Sequence, residues 1–302
     1  FNITVYPDEG RAMGYGGGGM LIYSAEFILT GTVDLQYNKY TSYNTDDMKL
    51  CILLSSRMYG TEYAEEESDI PKTLLDKCYN FNFSEFDNTK VVTKNTSDTN
   101  PDNVSFAMLT RKEDSASNEI DIIVVIRGTL WAEWQGNVQV TGDEYNESLT
   151  THENFEKAKE SMKEDIQNYY NEYAQGYDRV NLIVTGHSRG AAVANLYAKD
   201  ATDAANGKTG LNIPKFDTVT AYTFACPNVA KYNISMSDYT NIYNYCFTTD
   251  IVPLVPLITP TDGWNYWKYG RNLAMDINGA KKHGVSDKPS NLNDEITDEL
   301  TI

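Results

Sequence analysis

One serine of the chain lies between two glycines, where a strand-like run of residues gives way to a helix-like run. The stretch reads Gly-His-Ser-Arg-Gly from Gly186 to Gly190, after the apolar run Leu182–Thr185 and before an alanine-rich segment. A nucleophilic serine must project from a sharp strand-to-helix turn, and glycines two residues away on each side let strand and helix approach each other. The first N–H groups and the positive dipole end of the helix would stabilise an oxyanion there. The pattern predicts that Ser188 is a nucleophile; the alternative is a glycine-flanked turn that happens to carry a serine.

A serine hydroxyl is a poor nucleophile unless a base removes its proton, and the chain has only 3 histidines. His187 precedes the serine within the turn, so its side chain is expected to leave on the opposite side and to pack beneath the turn. His152 lies upstream at a predicted helix start, and His283 lies in a polar loop near the end of the chain. Hydrolases with this type of turn carry the nucleophile, the acid and the histidine in that order. Only His283 satisfies the order, so it is the predicted base.

The acid that orients this histidine is expected at a strand end between the serine and His283. Asp250 follows the apolar run Tyr-Asn-Tyr-Cys-Phe-Thr-Thr, and prolines carry the chain onward after it. An aspartate in this position can hold the imidazole in the required tautomer and stabilise its charged form. Asp250 is therefore the predicted acid, and the alternative is an ion-paired or capping aspartate. The competing aspartates, which lack a strand end before them, are Asp217, Asp238 and Asp262.

The charge balance of the chain excludes some partners. Its 302 residues include 25 basic and 43 acidic side chains, which give a net charge of −18, and 41% of the residues are hydrophobic. This excess of negative charge argues against nucleic acid or an anionic membrane as a partner, but not against a neutral lipid or ester. No apolar run approaches the roughly 18 residues that span a bilayer, so no transmembrane segment is expected. Because the chain begins at Phe1, we expect a removed export signal and a secreted or cell-surface protein.

Nothing in the sequence indicates a metal or an organic cofactor. The cysteines form neither a Cys-x-x-Cys pair nor a metal-ligand cluster and are expected to be small buried thiols. They are Cys51, Cys78, Cys226 and Cys246. The run Gly14–Gly19 satisfies Gly-x-Gly-x-x-Gly, but no buried strand precedes it and no βαβ unit surrounds it, so a turning segment is expected.

The spacing of apolar residues predicts strands that alternate with helices. The predicted helices are one capped by Thr45 and ended by Gly60, one from Ser68 to Asn80, one opened by a capping box at Thr150–Glu153 and ended by Gly176, and one from the serine turn to about Asp203. The predicted strands are a hairpin at 104–112 and 119–128, one strand at 180–185, and two at 216–226 and 240–249. This alternation implies an α/β class with a mainly parallel sheet and helices on both faces. We expect one domain over 1–302, with an irregular extension at 1–44 and a polar acidic tail at 287–302.

Four stretches, in the same order, resemble the class 3 lipase family, the fungal-lipase-like branch of the α/β-hydrolases. They are Val124–Thr129, which resembles an apolar strand ending in F-R-G-T/S; Thr185–Ala194, which resembles T-G-H-S-L-G-G-A; Tyr222–Ala230, which resembles T-F-G-x-P-R-V-G; and Asp250–Pro256, which resembles D-x-V-P. The segment Thr151–Ala158 also resembles the family's V-H-x-G-F stretch, which places His152 at a non-catalytic position. The resemblance implies an α/β-hydrolase fold.

The resemblance also implies a role for each residue of the site. It makes Ser188 the nucleophile, Asp250 the orienting acid and His283 the base. Thr129, through its N–H and its hydroxyl, and Arg189, through its N–H, would form the oxyanion hole. The chain departs from the family pattern at four positions: Arg189 replaces Leu, Ala191 replaces Gly, Ala225 replaces Gly and Asn228 replaces Arg. The charge of the arginine beside the pocket could alter the choice of substrate.

A candidate lid follows Thr129. In the fungal lipases this position carries a short amphipathic lid, and here Trp131 and Trp134 stand three residues apart, on one face of a helix. The alternative is a fixed helix whose tryptophans belong to the core.

The sequence thus predicts a serine carboxylic-ester hydrolase that acts through an acyl-enzyme and needs no cofactor, with a lipase acting on acylglycerol-type esters as the first interpretation. The substrate would be a small-molecule or lipid ester, and the protein would contact a lipid interface transiently. One alternative is an esterase for short acyl chains or for feruloyl groups on carbohydrate. Another is a non-catalytic binding protein on a hydrolase scaffold. The acyl chain, the head group and the oligomeric state stay open.

Overall fold

The computed structural model describes part of the chain. The described residues are 43–58, 92–94, 102–112, 116–128, 151–247, 250, 252–254 and 266–275. All of them belong to one compact unit, Tyr40–Ile302. The expected helix from Ser68 to Asn80, the tail at 287–302 and nearly all of the extension at 1–44 lie outside the described residues. The single domain over 1–302 therefore stays a prediction.

A seven-stranded, mainly parallel sheet forms the centre of the described structure. In spatial order its strands are β1 (Val92–Lys94), β2 (Phe106–Arg111), β3 (Glu119–Ile126), β4 (Arg179–His187), β5 (Thr218–Phe224), β7 (Ile242–Phe247) and β9 (Arg271–Met275). The first three strands pair antiparallel, which confirms the predicted hairpin of β2 and β3. From β3 to β9 all pairs are parallel. A separate antiparallel pair joins β6 (Ala230–Lys231) to β8 (Tyr266–Trp267).

Helices cover both faces of this sheet, as the α/β class predicts. They are α1 (Thr45–Arg57), α2 (Glu153–Tyr173) and α3 (Arg189–Ala205). Successive strand residues point to opposite faces. Ile183 of β4 therefore packs with α1, whereas Leu182 and Val184 pack with α2 and α3. No described helix is long and apolar enough to cross a membrane.

Two predicted helix starts are wrong in detail. The cap of α1 is Asn44 rather than Thr45, because the Asn44 side chain accepts hydrogen bonds from the N–H groups of Asp46 and Asp47 at 2.8 and 3.3 Å. The cap of α2 is His152, without a side-chain cap bond, so the expected capping box does not form. Thr151 instead forms an isolated antiparallel bridge with Ala230.

Candidate active site

Ser188 stands alone between the last residue of β4 and the first residue of α3. Its backbone has φ 55° and ψ −124°, which residues other than glycine rarely adopt. The Ser188 N–H donates to the carbonyl oxygen of Phe224, at the end of β5, at 2.9 Å. Its carbonyl oxygen accepts the N–H of Ala192 at 3.2 Å, as the first bond of α3. The serine therefore occupies a strained turn held from both sides, as the spacing of the glycines predicts.

The two glycines of the turn leave no room for a side chain. A Cβ atom on Gly186 would lie 2.6 Å from the carbonyl group of Gly190 and 2.8 Å from the carbonyl oxygen of Ile126. A Cβ atom on Gly190 would lie 2.7 Å from the carbonyl group of Arg127 and closer still to the oxygen of Ile126. These contacts are between main chains, which cannot move aside cheaply. The start of α3 therefore packs directly on the end of β3.

Asp250 lies at the same edge of the sheet as the serine. Strands β4 and β7 run parallel with β5 between them, so the residues that follow them lie at one carboxyl edge. Two strand spacings separate these strands, which corresponds to about 10 Å. Asp250 is buried, and its Oδ1 accepts the N–H of Val252 at 2.9 Å. A histidine between the two residues could bond both, with one ring nitrogen toward each.

The predicted base, the predicted oxyanion donor after β3 and the candidate lid lie outside the described residues. These are His283, Thr129, Trp131 and Trp134. The described chain reaches Gly128, and Arg127 just before it lies against Gly190 of the turn. The segment that leads to Thr129 therefore leaves the sheet beside the start of α3.

The two described histidines have packing roles. His187, at the end of β4, is 6% exposed, in agreement with a place beneath the turn. His152 stacks on Phe155 with ring centres 4.2 Å apart, and its Nδ1 has no hydrogen-bond partner among the described residues. Burial, together with the nearby charge of Arg189, lowers the pKa of His152 to about 4. An imidazole held in this way is a poor candidate for the base.

The four departures from the family pattern have visible consequences. Arg189 turns its guanidinium to the loop before β2, where Nη2 donates to the carbonyl oxygen of Asn103 at 3.0 Å. Ala191 and Asn228 are buried. Ala225 has φ 52°, a left-handed conformation in which glycine would be less strained. A hydrogen bond thus holds the guanidinium group of Arg189 against a neighbouring loop.

Lys268 is a residue of this region that sequence reasoning missed. Its Nζ donates to the carbonyl oxygens of Cys226 at 2.8 Å and of Pro253 at 2.6 Å. A lone lysine in an aromatic run gives no signal of such burial, since lysines are mostly exposed.

The cysteines of the described residues agree in part with the expected buried thiols. Cys51 and Cys226 are buried, whereas Cys246 is half-buried. Cys78 lies outside the described residues.

One acidic cluster has the proximity that a metal site needs, but lysines occupy it. The carboxylate oxygens of Glu156, Glu160 and Asp200 lie within 4.8 Å of one another. Lys159 binds Asp200 and Glu156, each at 2.6 Å, and Lys163 binds Glu160 at 2.6 Å. These ammonium groups compensate the carboxylates. The cluster is therefore an ion-pair network between α2 and α3.

A polar cavity of about 410 Å³ opens at the amino ends of β3, β4 and β5. Its lining includes Arg111, which binds Asp121 at 2.7 Å. It lies at the opposite edge of the sheet from Ser188 and takes no part in the site described above.

Comparison with known proteins agrees with this architecture. Residues 123–259, which run from β3 past Asp250, match the family described as Lipase (class 3). A mutant form of MDLA from Penicillium cyclopium superposes with a TM-score of 0.51 at 18% identity, over 82% of this chain and 86% of that one. A propeptide complex of Rhizomucor miehei lipase gives 0.51 at 16% identity, over 86% and 79%. No curated protein sequence matches the chain.

At these identities the two structures establish the fold, and the family match covers the strands and turns that carry Ser188 and Asp250. The chain is an ester-hydrolysing enzyme with the α/β-hydrolase fold, and its residues 123–259 match the class 3 lipase family.

Proposed function

We propose that Ser188 is the nucleophile of a carboxylic-ester hydrolase that acts through an acyl-enzyme. The observation that carries the proposal is the strained turn of Ser188 at the start of α3, at φ 55° and ψ −124°. A serine is kept in such a conformation at a cost of about 1 to 3 kcal/mol, and strain of this kind clusters at active sites. The first turn of α3 also directs N–H groups and a positive dipole end toward this residue.

The reaction would proceed in two halves. The Ser188 oxygen attacks the ester carbonyl carbon while its proton passes to the base, and the carbonyl oxygen becomes an oxyanion. The C–O bond to the alcohol then breaks, and the leaving alcohol takes the proton from the base. Water, deprotonated by the same base, attacks the acyl-enzyme and releases the acid. In this second half the bond between the acyl carbon and the Ser188 oxygen breaks, and the serine oxygen takes the proton back from the base. The first half thus returns the base to its neutral form, and the second half returns both the serine and the base to their initial states.

We assign the base to His283 and the orienting acid to Asp250. Chain order supports His283, and the buried position of Asp250 at the carboxyl edge supports the acid. The N–H of Arg189, the first residue of α3, would bind the oxyanion together with Thr129. The contact between Arg127 and Gly190 supports the second assignment, because it brings the chain that leads to Thr129 beside the turn.

The substrate class that we propose is an acylglycerol-type lipid ester. The family match supports a lipase, and the tryptophans at 131 and 134 are suited to a lid that meets lipid. A secreted location fits the same interpretation. An esterase for short acyl or feruloyl groups is the alternative within the same chemistry. A non-catalytic scaffold is the alternative outside it.

Two measurements test the proposal. Labelling with a fluorophosphonate probe should occur in the wild type and disappear in Ser188→Ala; an unlabelled, folded wild type would support the non-catalytic scaffold. Hydrolysis rates should then be compared for esters from acetyl to stearoyl, below and above the concentration at which each aggregates. A lipase with a mobile lid should show a jump in rate at aggregation together with a change in tryptophan fluorescence. Fast cleavage of acetyl or feruloyl esters alone would favour the esterase.

A further inference from the structure

Lys268 carries a buried amino group in the segment between β8 and β9. The residue is only 4% exposed. The two carbonyl oxygens that accept its hydrogen bonds, those of Cys226 and Pro253, belong to different loops at the carboxyl edge of the sheet. The distances of 2.8 and 2.6 Å are short, as expected for charge-assisted bonds.

The first acceptor belongs to the chain that holds the nucleophile. Cys226 follows β5 by two residues, and Phe224 at the end of β5 accepts the Ser188 N–H at 2.9 Å. A hydrogen bond and a short stretch of main chain thus connect the serine turn to the amino group of Lys268.

The second acceptor belongs to the chain that holds the acid. Pro253 follows Val252, whose N–H donates to the carboxylate of Asp250 at 2.9 Å. Lys268 therefore bridges the loop of Asp250 and the loop after β5 through hydrogen bonds to main-chain atoms, which do not depend on neighbouring side chains.

The residue after Lys268 is fixed to the helix that begins at the serine turn. The Asn195 side chain of α3 donates to the carbonyl oxygen of Tyr269 at 2.8 Å and accepts the Tyr269 N–H at 3.1 Å. Gly270 then turns the chain at φ +94°, where a Cβ atom would lie 2.6 Å from the Cβ of Ile242. The backbone from which the lysine extends is thus rigidly placed relative to α3.

Stability alone does not account for a lysine at this position. No carboxylate of the described residues lies within ion-pair distance of Lys268, and a buried cation without such a partner destabilises the fold. The titratable groups that face it are Asp250, Cys226 and Cys246, and the ring centre of Trp267 lies 5.9 Å away. Burial lowers the pKa of the lysine. A methionine would fill a similar space without this cost.

We propose that Lys268 is a positioning residue for ester hydrolysis: it sets the place of the Asp250 carboxylate relative to the Ser188 turn by joining the two loops that carry them. The inference rests on the function proposed above, because the bridge affects catalysis only if Ser188 and Asp250 belong to the active site. The lysine itself does not touch the reacting atoms. It acts through the position of Asp250.

The test compares Lys268→Met with Lys163→Met, each assayed on p-nitrophenyl butyrate. Lys163 is an equally buried lysine that also donates to a main-chain oxygen, that of Leu211 at 3.1 Å, but it joins α2 to the loop after α3. We expect kcat of Lys268→Met to fall about 10- to 100-fold with KM within about twofold, since displacement of a catalytic group by about 1 Å can cost 100-fold. Lys163→Met should lower the melting temperature and leave kcat within about twofold of the wild type.

A double-mutant cycle with Asp250→Asn separates positioning from general damage. If Lys268 acts through Asp250, then Lys268→Met should cost little once the carboxylate has been removed, so the losses should not add. In Lys268→Met alone, the acidic limb of the pH–rate profile should move to lower pH, because a displaced carboxylate stabilises the protonated base less. A purely structural role would give additive losses and an unmoved limb.

Lys268→Gln keeps hydrogen-bond donors but removes the charge. If Lys268→Met does not fold, Lys268→Gln should fold and replaces it in the cycle. A kcat for Lys268→Met within twofold of the wild type, or additive losses in the cycle, would overturn the inference and leave the proposed function intact. Failure of both Lys268 variants to fold while Lys163→Met folds would assign the residue a structural role only. Undiminished hydrolysis by Ser188→Ala would instead refute the proposed function itself.

Discussion

Gly190 and Ile126 are in main-chain contact, so close that the carbonyl oxygen of Ile126 occupies the space a Cβ atom on Gly190 would need. The first turn of α3 and the end of β3 are thereby fixed relative to each other. One of these elements begins next to the proposed nucleophile Ser188, and the other leads to the proposed oxyanion donor Thr129. The packing of two backbones therefore sets the geometry in which an oxyanion would be bound.

Gly190→Ala should reduce both stability and activity, because the added methyl group must displace main-chain atoms of β3. We expect the free energy of unfolding to fall by about 1 to 3 kcal/mol, as for other overpacked positions. Urea unfolding and kcat on a soluble ester would measure the two effects. Gly176→Ala is the matched control, since a Cβ atom there meets nothing within 4 Å. Equal behaviour of the two variants would contradict the tight contact.

Ser188→Ala and Ser188→Gly should both lose about 10⁴- to 10⁶-fold in kcat, as serine hydrolases do without their nucleophile. They should differ in stability, because alanine keeps the strain at φ 55° and glycine relieves it. The free energy of unfolding should therefore be higher for the glycine variant than for the alanine variant, by about 1 kcal/mol. Activity within tenfold of the wild type in either variant would refute the assignment of the nucleophile.

Asp250→Asn should lower kcat by about 10³- to 10⁴-fold, because the amide no longer holds and stabilises the imidazolium. The asparagine oxygen can still accept the Val252 N–H, so the melting temperature should stay near the wild-type value. Asp217→Asn is the control: Asp217 accepts the N–H of Val180 at 2.8 Å, at the amino end of the sheet. If Asp217→Asn lost more activity than Asp250→Asn, the acid would have been misassigned.

His283→Ala should abolish hydrolysis and fluorophosphonate labelling, whereas His152→Gln should retain at least about a tenth of the wild-type rate. The base must come within about 3 Å of the serine oxygen. His152 instead stacks on Phe155, which makes it a poor candidate for this role. In the wild type, the rate should fall as the pH drops through the pKa of the base, because a protonated imidazole cannot accept the serine proton. The reverse ranking of the two variants would require a different mechanism.

His152 should also leave a signature in the pH dependence of stability. Its pKa is about 4 in the folded state against the usual 6.5, so between these values the unfolded chain binds a proton that the folded chain does not. The folded state should therefore lose stability as the pH falls from about 6.5 to 4, by up to about 3 kcal/mol. In His152→Gln this contribution should disappear from the pH dependence of urea unfolding.

Ala225→Gly should stabilise the protein, because the alanine sits at φ 52°. The relief of strain raises the free energy of unfolding, and the greater entropy of glycine in the unfolded chain lowers it. We expect a net rise of about 0.5 to 1 kcal/mol. Ala221→Gly, in the ordinary backbone of β5, should instead lower it by about 1 kcal/mol. Thermal unfolding of both variants would measure the difference, and a destabilised Ala225→Gly would contradict the left-handed conformation.

The central sheet and the serine turn were predictable because their physics is local. A parallel strand buried on both faces appears in sequence as a continuous apolar run, as β3 and β4 do, and the glycine spacing marks the turn. Strand β9 was missed because Arg271, Asn272 and Leu273 are only half-buried and the first two are polar. Edge strands of this kind lack an apolar run.

The bridge made by Lys268 could not be predicted for a different reason. Its acceptors, the carbonyl oxygens of Cys226 and Pro253, belong to every residue type and leave no mark in the sequence. Only the folded chain brings them to one point. The cap of α1 shows the same limit on a smaller scale, because Thr45 and Asn44 are both good caps and the backbone decides between them.

Helix α3 packs into two apolar clusters at once, one with the sheet and α2 and the other with Cys226, Val229 and Met236. Its small residues are enclosed along most of its length. Random libraries that spread substitutions over this helix would therefore return mostly inactive clones, whatever the selection. Directed evolution of substrate preference has more room in the polar surface loops, where a larger side chain does not displace the strand-to-helix turn.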